Sequence, residues 1–81
     1  MAKRKSYTAP DFPEYQLALN PTEAENVAIE AARDFLADDP QPPEAYPILF
    51  PYEGVWCYRF LRFRLYYIFT FDDVTALTIT E

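Results

Sequence analysis

The 81-residue chain is acidic, with 7 lysines and arginines against 13 aspartates and glutamates and a formal net charge of −6. Its length allows one domain, residues 1–81, and its 51% hydrophobic and 19% aromatic content predicts a globular fold with large buried side chains. The acidic balance argues against broad nonspecific binding of nucleic acids, because such binding depends on clustered cations that no carboxylates oppose.

The scarcity of cysteine and histidine narrows the chemistry open to this chain. Cys57 is the only cysteine and histidine is absent, which excludes an internal disulfide, a Cys/His zinc site and a histidine base. We therefore expect no metal and no cofactor. No apolar run approaches the roughly 18 residues that a membrane span requires, so the sequence predicts a soluble, cytoplasmic protein without a membrane partner.

The N-terminal segment shows little regular pattern. Its tip, residues 1–10, is basic and is expected to be disordered, although contact with RNA or a partner is an alternative. Prolines at positions 10 and 13 leave room for at most one short strand or one turn of helix within residues 3–19, which are expected to be mostly irregular.

The clearest helix begins near Asn20, which is its predicted cap. Pro21 fits the first turn, Glu23 completes a capping box, and Asp38, Asp39 and Pro40 mark the end. Apolar residues at helical spacing predict one stripe that packs on a sheet. The stripe consists of Ala24, Val27, Ala28, Ala31, Phe35 and Leu36.

A proline-rich extended connector follows, with residues 48–50 as its expected anchor. From Val55 onward, β-branched and aromatic residues predict an antiparallel meander with turns near Leu61 and Arg62 and at Asp72 and Asp73. The predicted fold class is α+β, a small twisted antiparallel sheet built from this C-terminal meander with one main helix packed on one face. Cys57 reads as a small core or half-buried residue.

A two-residue loop at Asp72 and Asp73 would decide which side chains share a face of the sheet. In that register Phe71 opposes Val74, and the side that carries Leu65 receives the helix. Arg64 lies on the uncovered side opposite Glu81, and Arg62 joins it if the preceding turn leaves it in the strand. The uncovered side is predicted to carry Arg64, Tyr66, Ile68, Thr70, Thr75, Leu77, Ile79 and Glu81.

Four segments occur in a suggestive order from about residue 17 to the end. They are a capped helix ending in LADDPQPPEA, a proline-rich connector, GVWCYRF, and the strand pair FRLYYIFTFDDVTALTI. In order, spacing and residue type they resemble the RelE/ParE toxin superfamily of bacterial type II toxin–antitoxin systems. The resemblance implies a compact α+β domain with a helix packed on a mainly antiparallel sheet, a cognate antitoxin as partner and, for many members, ribosome-dependent cleavage of messenger RNA.

The resemblance also implies site residues. Arg64 matches the family's strand arginine that contacts the substrate phosphate, and Arg59 and Arg62 lie where basic residues commonly occur, so these three are the candidate catalytic residues. Tyr58 and Tyr66 are candidate contacts to RNA or a partner. A guanidinium can hold a phosphodiester bidentately and stabilise charge as a ribose 2′-hydroxyl attacks. The implied function is a RelE-like messenger RNA endonuclease that inhibits translation and arrests growth.

Two other interpretations stay open. The arginines can form an ordinary solvated strand face. The chain can also be a noncatalytic module of the same fold, a degenerate or ParE-like toxin that binds a protein partner. Active family members usually continue past the final strand with further basic and aromatic residues, whereas this chain ends at Glu81 and is acidic, which favours binding over catalysis.

Overall fold

A five-stranded sheet with two helices on one face makes up the part of the chain that the structure describes. The computed structural model describes residues 3–49 and 53–81, so Phe50 of the predicted anchor lies outside the described residues. The elements in chain order are β1 (Lys5–Thr8), α1 (Phe12–Ala18), α2 (Glu23–Asp38), β2 (Ala45–Ile48), β3 (Val55–Phe60), β4 (Phe63–Phe69) and β5 (Asp73–Thr80).

The sheet has the strand order β1-β5-β4-β3-β2. The pairs β2–β3, β3–β4 and β4–β5 are antiparallel, whereas β1 pairs in parallel with β5. The predicted α+β class, with a C-terminal antiparallel meander and a helix packed on it, is confirmed. Within the described residues no helix is both long and apolar enough to cross a membrane.

The N-terminal segment is more regular than predicted. The backbone N–H of Lys5 donates to the carbonyl of Asp72 at 2.9 Å, and that of Ala9 donates to Ala76 at 2.8 Å, so β1 occupies the edge of β5. The expected disorder of residues 1–10 is therefore wrong for the described part of that tip. This part of the tip is ordered because it pairs with residues almost 70 positions away, and local propensity does not reveal such a pairing.

Helix α1, with 7 residues, is longer than the single turn that the sequence predicts at most for this segment. A proline lies in its first turn, where the missing N–H costs nothing, and Phe12 is buried in the core. Asn20 follows the helix with a φ of 48°, a left-handed conformation that asparagine tolerates better than most residues. This turn directs the chain into α2.

The cap of α2 lies two residues later than predicted. The hydroxyl of Thr22 accepts from the Glu25 backbone N–H at 3.1 Å, and the Glu25 carboxylate accepts from the Thr22 backbone N–H at 2.9 Å. This is a reciprocal capping box. Asn20 cannot fill the role because an N-cap needs extended backbone and its φ is positive.

The core-facing side of α2 differs from the predicted stripe. Its buried residues are Ile29, Ala32, Leu36 and Ala37. Val27 and Phe35, both placed in the core by the sequence pattern, are 66% and 42% exposed. Glu25 precedes Ile29 by one turn and lies on the same side of the helix. The buried apolar residues of α2 and the ion pair that Glu25 makes with Arg62 therefore define one face of the helix.

The β3–β4 connection confirms the predicted tight turn. Leu61 and Arg62 form it, and Phe60 pairs with Phe63 on either side. Leu61 has a φ of 50°, which a two-residue hairpin loop of this kind requires at its first position. Leucine rarely adopts that conformation, and its side chain is 72% exposed.

The β4–β5 turn is longer than predicted. The Thr70 backbone N–H donates to the Asp73 carbonyl at 2.8 Å, and the Thr70 hydroxyl accepts from the N–H groups of Asp72 and Asp73. The loop therefore begins at residue 70, Phe69 pairs with Val74, and Phe71 is 87% exposed.

The longer turn and a β-bulge between Tyr66 and Tyr67 change the predicted register. Arg64 pairs with Thr80 instead of Glu81. Ile79, predicted on the uncovered side, is 2% exposed within the core, whereas Thr78 opposes Tyr66. A bulge shifts the alternation of side chains by one residue, and this one is not visible in the sequence.

The two faces of the sheet are chemically distinct. The packed face, which receives the helices, contributes the strand residues of the core. That core consists of Phe12, Ile29, Leu36, Phe63, Leu65, Tyr67, Val74, Ala76 and Ile79. The open face carries no helix among the described residues. Strand alternation places there Lys5, Tyr7, Tyr46, Ile48, Val55, Cys57, Arg59, Arg64, Tyr66, Ile68, Thr75, Thr78 and Thr80.

Candidate functional site

Two arginines lie directly opposite each other on the open face. The β3–β4 register pairs Arg59 with Arg64, one step from the turn, and both residues are exposed. Within residues 3–49 and 53–81 neither guanidinium makes a hydrogen bond or an ion pair. We call these two residues the arginine pair. The predicted placement of Arg64 on the uncovered side is confirmed.

The arginine pair is energetically unfavourable for the isolated fold. The pair that flanks a two-residue hairpin loop is hydrogen-bonded, so the next pair outward is of the close type, with Cα atoms about 4.5 Å apart. Like charges opposed in this way destabilise a sheet by up to about 1 kcal/mol. A bound anion would remove the repulsion, and a phosphate can accept hydrogen bonds from both guanidinium forks.

A second row of side chains crosses the open face next to the arginine pair. Cys57 opposes Tyr46 on one side and Tyr66 on the other, and Tyr66 in turn opposes Thr78. This row lies two residues, or about 7 Å, along the strands from the arginines. Cys57 is fully buried between the two tyrosines, although none of the helices in the described part of the chain lies on this face.

The pKa of Tyr46 responds to groups in both rows. The Cys57 thiol and then burial raise the pKa of the Tyr46 hydroxyl, with a further contribution from Tyr66, while Arg59 acts in the opposite direction. Tyr46, Cys57, Tyr66 and Arg59 therefore lie on one face within electrostatic range of each other. An exposed Tyr46 ring and a half-buried Tyr66 ring on the same face as two guanidinium groups suit a ligand that combines a phosphate with a planar base.

Arg62, predicted as the third cation of the site, lies elsewhere. Its Nε donates to a Glu25 carboxylate oxygen at 2.6 Å, its Nη2 donates to the Leu19 carbonyl at 3.1 Å, and its Nη1 bonds to the Glu81 carboxylate. It also lies over the Phe63 ring, 4.6 Å from the centroid. Arg62 lies in the turn and not in a strand, so it joins the sheet to α2. The candidate site therefore has two of the three predicted arginines.

Tyr58 also lies apart from the arginines. It opposes Leu65 on the packed face, where its ring centroid is 5.7 Å from Phe35 and 5.6 Å from Phe60. Burial, and to a lesser extent Glu44, raises the pKa of its hydroxyl. Of the two predicted tyrosine contacts, only Tyr66 shares a face with Arg59 and Arg64.

The Arg62 ion pair predicts a pH-dependent stability. Arg62, and then the Thr22 backbone N–H, lower the pKa of Glu25 from 4.5 to about 2. The ionised carboxylate therefore contributes stability that is fully present above pH 4.5 and is lost as the pH falls through about 2. We expect the free energy of unfolding, measured in urea across this range, to fall less steeply for Glu25→Gln than for the unmodified chain.

Glutamine is a suitable replacement because it preserves the capping box and removes only the charge. Glu23→Gln, in the same helical turn, is the matched control and should follow the unmodified profile. Superimposable profiles for Glu25→Gln and the unmodified chain would show that the ion pair with Arg62 does not form in solution.

Sequence reasoning missed Tyr46. It lies in a proline-rich segment that the sequence predicts to be an extended connector, yet Ala45–Ile48 forms the edge strand β2. The alternation of Tyr46 and Ile48 around Pro47, a residue tolerated on edge strands, was the available signal. Leu49, part of the expected anchor, is 78% exposed.

Comparison with known proteins adds no family to this picture. The sequence matches no protein-family model and no curated protein at a significant level. The relationship to RelE/ParE toxins therefore stays a prediction that rests on the sequence pattern.

Proposed function

We propose that this chain is a RelE-like toxin of a type II toxin–antitoxin system, which binds messenger RNA on the ribosome in the cytoplasm and promotes its cleavage. The observation that supports this proposal best is the arginine pair, two cross-strand guanidinium groups on an open sheet face next to Tyr66. The α+β fold agrees with what the sequence resemblance implies.

In this proposal the arginine pair binds the scissile phosphate. Each guanidinium donates hydrogen bonds to non-bridging oxygens, and together they stabilise the charge that develops as the ribose 2′-oxygen bonds to phosphorus and the bond from phosphorus to the 5′-oxygen breaks. The 2′-hydroxyl gives its proton to solvent and the departing 5′-oxygen takes one from solvent, which leaves a 2′,3′-cyclic phosphate and a 5′-hydroxyl. Tyr66 and Tyr46, in the adjacent row, stack on the flanking bases. Arg62 is not part of the site, because its bonds to Glu25 hold the helix on the sheet.

The proposal includes a cognate antitoxin that covers the open face. Covering the face would pair the exposed arginines with acidic side chains and remove the repulsion between them. The same contact would exclude RNA, so binding of the antitoxin and binding of the substrate are mutually exclusive. Co-purification of an acidic segment that competes with RNA is the expected sign of this partner.

Controlled expression in a sensitive bacterium tests the proposal. We expect growth to stop and transcripts to be cut, and we expect Arg64→Ala to relieve both effects more strongly than Lys3→Ala. Lys3 is a fair control because its charge lies against Asp34 of α2, at 2.5 Å, and not on the open face. Unimpaired growth with intact messenger RNA would contradict the proposal.

A noncatalytic binding module is the second candidate function. The composition of the site favours it. The open face around the arginine pair offers guanidinium, tyrosine, threonine and a buried thiol, and the chain has no histidine to act as a general base. Purified protein that binds a single-stranded RNA oligonucleotide and leaves it intact, even with ribosomes added, would favour this candidate. Cleavage that requires both arginines would exclude it.

A further inference from the structure

An apolar groove lies on the packed face, on the other side of the sheet from the arginine pair. One wall is α2, through Ala28, Ala31 and Phe35, and the other is β3 and its turn, through Tyr58, Phe60 and Leu61. Its volume is about 360 Å³. The groove exists because α2 packs over β1 and β5, which leaves the aromatic residues of β3 only partly covered. We call this feature the α2–β3 groove.

The residues around the groove are more apolar than an ordinary surface requires. Phe35 is 42% exposed, Val27 on the adjoining turn of α2 is 66% exposed, and Leu61 is 72% exposed. Leu61 is also the residue with a left-handed φ of 50°, a conformation for which leucine is poorly suited. The hairpin loop accounts for that conformation, and the contiguous exposed apolar side chains are what mark a surface that contacts a partner.

The shape of the groove suits a helix. Ala28 and Phe35 are seven residues apart on α2, a distance of roughly 10 Å or two helical turns. The alanines between them let another backbone approach closely, while Phe35 and Leu61 flank the space. An amphipathic helix placed here would use apolar side chains at positions i, i+3 or i+4, and i+7.

The charges at the rim select the partner. Asp38 and Asp39 follow Phe35 at the C-terminal end of α2, where the helix dipole is negative and the last turn has no basic residue. Glu44 lies close enough to Tyr58 to affect its hydroxyl. At the other end two carboxylates, Glu25 and Glu81, share the single guanidinium of Arg62. Two other cations next to α2 are already paired, since Lys3 bonds to Asp34 at 2.5 Å and to Asp38 at 3.6 Å, and Arg33 bonds to Glu30 at 3.4 Å.

We propose that the α2–β3 groove binds an amphipathic helix of another protein, one that presents an apolar row flanked by lysines or arginines. The surface is separate from the arginine pair, so a partner seated here leaves the open face accessible. This inference does not depend on the proposed function, because it rests on a different face with the opposite charge.

Two synthetic helical peptides of about 14 residues, or four turns, test the proposal. Both carry leucines at i, i+3 or i+4, and i+7, one with lysines at the flanking positions and the other with glutamates. We expect the lysine peptide to bind at least tenfold more tightly, as measured by fluorescence anisotropy. Ala31→Arg, which fills and charges the groove, should weaken this binding at least tenfold.

The matched control is Ala18→Arg, the same change at an exposed position of α1 away from the groove, and it should bind as the unmodified chain does. Glu44→Lys should narrow the preference for the lysine peptide. Circular dichroism verifies that each variant is folded. Arg64→Thr should keep full peptide binding, which separates this result from any test of the RNA-binding face.

Three results would overturn the inference. In the first, the two peptides bind equally or neither binds. In the second, Ala31→Arg does not affect the binding of the lysine peptide. In the third, the protein forms a concentration-dependent dimer that Ala31→Arg dissociates and Ala18→Arg does not. The last result would assign the groove to a second copy of this chain.

Discussion

Replacing Arg64 with threonine is expected to weaken the binding of single-stranded RNA at least tenfold and, at the same time, to raise the free energy of unfolding. Binding falls because the phosphate loses one of two guanidinium donors, and a hydrogen bond to a charged group contributes about 1.5–3 kcal/mol. Stability rises by up to about 1 kcal/mol because the change removes the repulsion with Arg59, directly across the strand pair, and because threonine suits a β-strand.

Two measurements on the same purified variant test this prediction. Fluorescence anisotropy with a labelled oligonucleotide is repeated at several salt concentrations. The affinity of Arg64→Thr should depend less on salt than that of the unmodified chain, because the variant makes about one phosphate contact fewer and so releases fewer counterions on binding. Urea denaturation gives the change in stability. Arg59→Thr should behave in the same way because the two residues form one pair.

Lys3→Thr is the control with the same change of charge. It should leave RNA binding nearly unchanged and should not stabilise the fold, because Lys3 forms favourable ion pairs with Asp34 and Asp38. RNA affinity that is equal for Arg64→Thr and the unmodified chain would remove the arginine pair from the proposed site. A loss of stability in Arg64→Thr would show that the two guanidinium groups do not repel each other in the folded protein.

Replacing Tyr67 with alanine is expected to have the largest effect on folding. Tyr67 is 0% exposed and is the largest of the fully buried side chains. Its hydroxyl donates to the buried Pro40 carbonyl at 2.5 Å, so one side chain ties the centre of the sheet to the segment after α2. Removing a buried aromatic ring costs about 3–5 kcal/mol, a large share of the roughly 5–15 kcal/mol that holds a typical domain together.

Tyr67→Phe separates the ring from its hydroxyl. Phenylalanine keeps the packing but leaves the Pro40 carbonyl without its donor, which should cost about 1–3 kcal/mol. Thermal and urea denaturation of both variants, next to the unmodified chain, provide the two free energies. If Tyr67→Phe is as stable as the unmodified chain, the buried hydrogen bond contributes nothing, and a loss of less than about 1 kcal/mol in Tyr67→Ala would mean that the ring is not in the core.

Much of the C-terminal half follows from local pattern. The alternation of Leu65 and Tyr67 with Arg64 and Tyr66 predicts a two-faced strand, and the structure buries the first pair and leaves Arg64 exposed. The same reasoning misplaced residues near turns. The loop at residues 70–73 and the bulge at Tyr66 and Tyr67 move Arg64 from Glu81 to Thr80, because each added residue reverses the side to which the next one points.

The candidate site shows the same division. The resemblance to RelE/ParE toxins makes Arg59 and Arg64 site candidates, but their direct opposition depends on the turn at Leu61 and Arg62. Arg62 is also an arginine with aromatic residues near it in the sequence, yet it binds Glu25, 37 positions earlier in the chain. Tyr46 was missed because nothing in a proline-rich segment indicates that its neighbour in space is Cys57.

The sequence by itself determined the α+β class, the long helix and the strands of the meander, because side-chain periodicity and capping preferences act over a few residues. The tertiary structure alone decided the parallel strand at the N-terminus, the side of α2 that is buried and the separation of Arg62 from the other two arginines. Each of these depends on a contact between residues far apart in the chain. Such contacts form only when the whole sheet and both helices bury their apolar sides together, and local propensity carries no information about them.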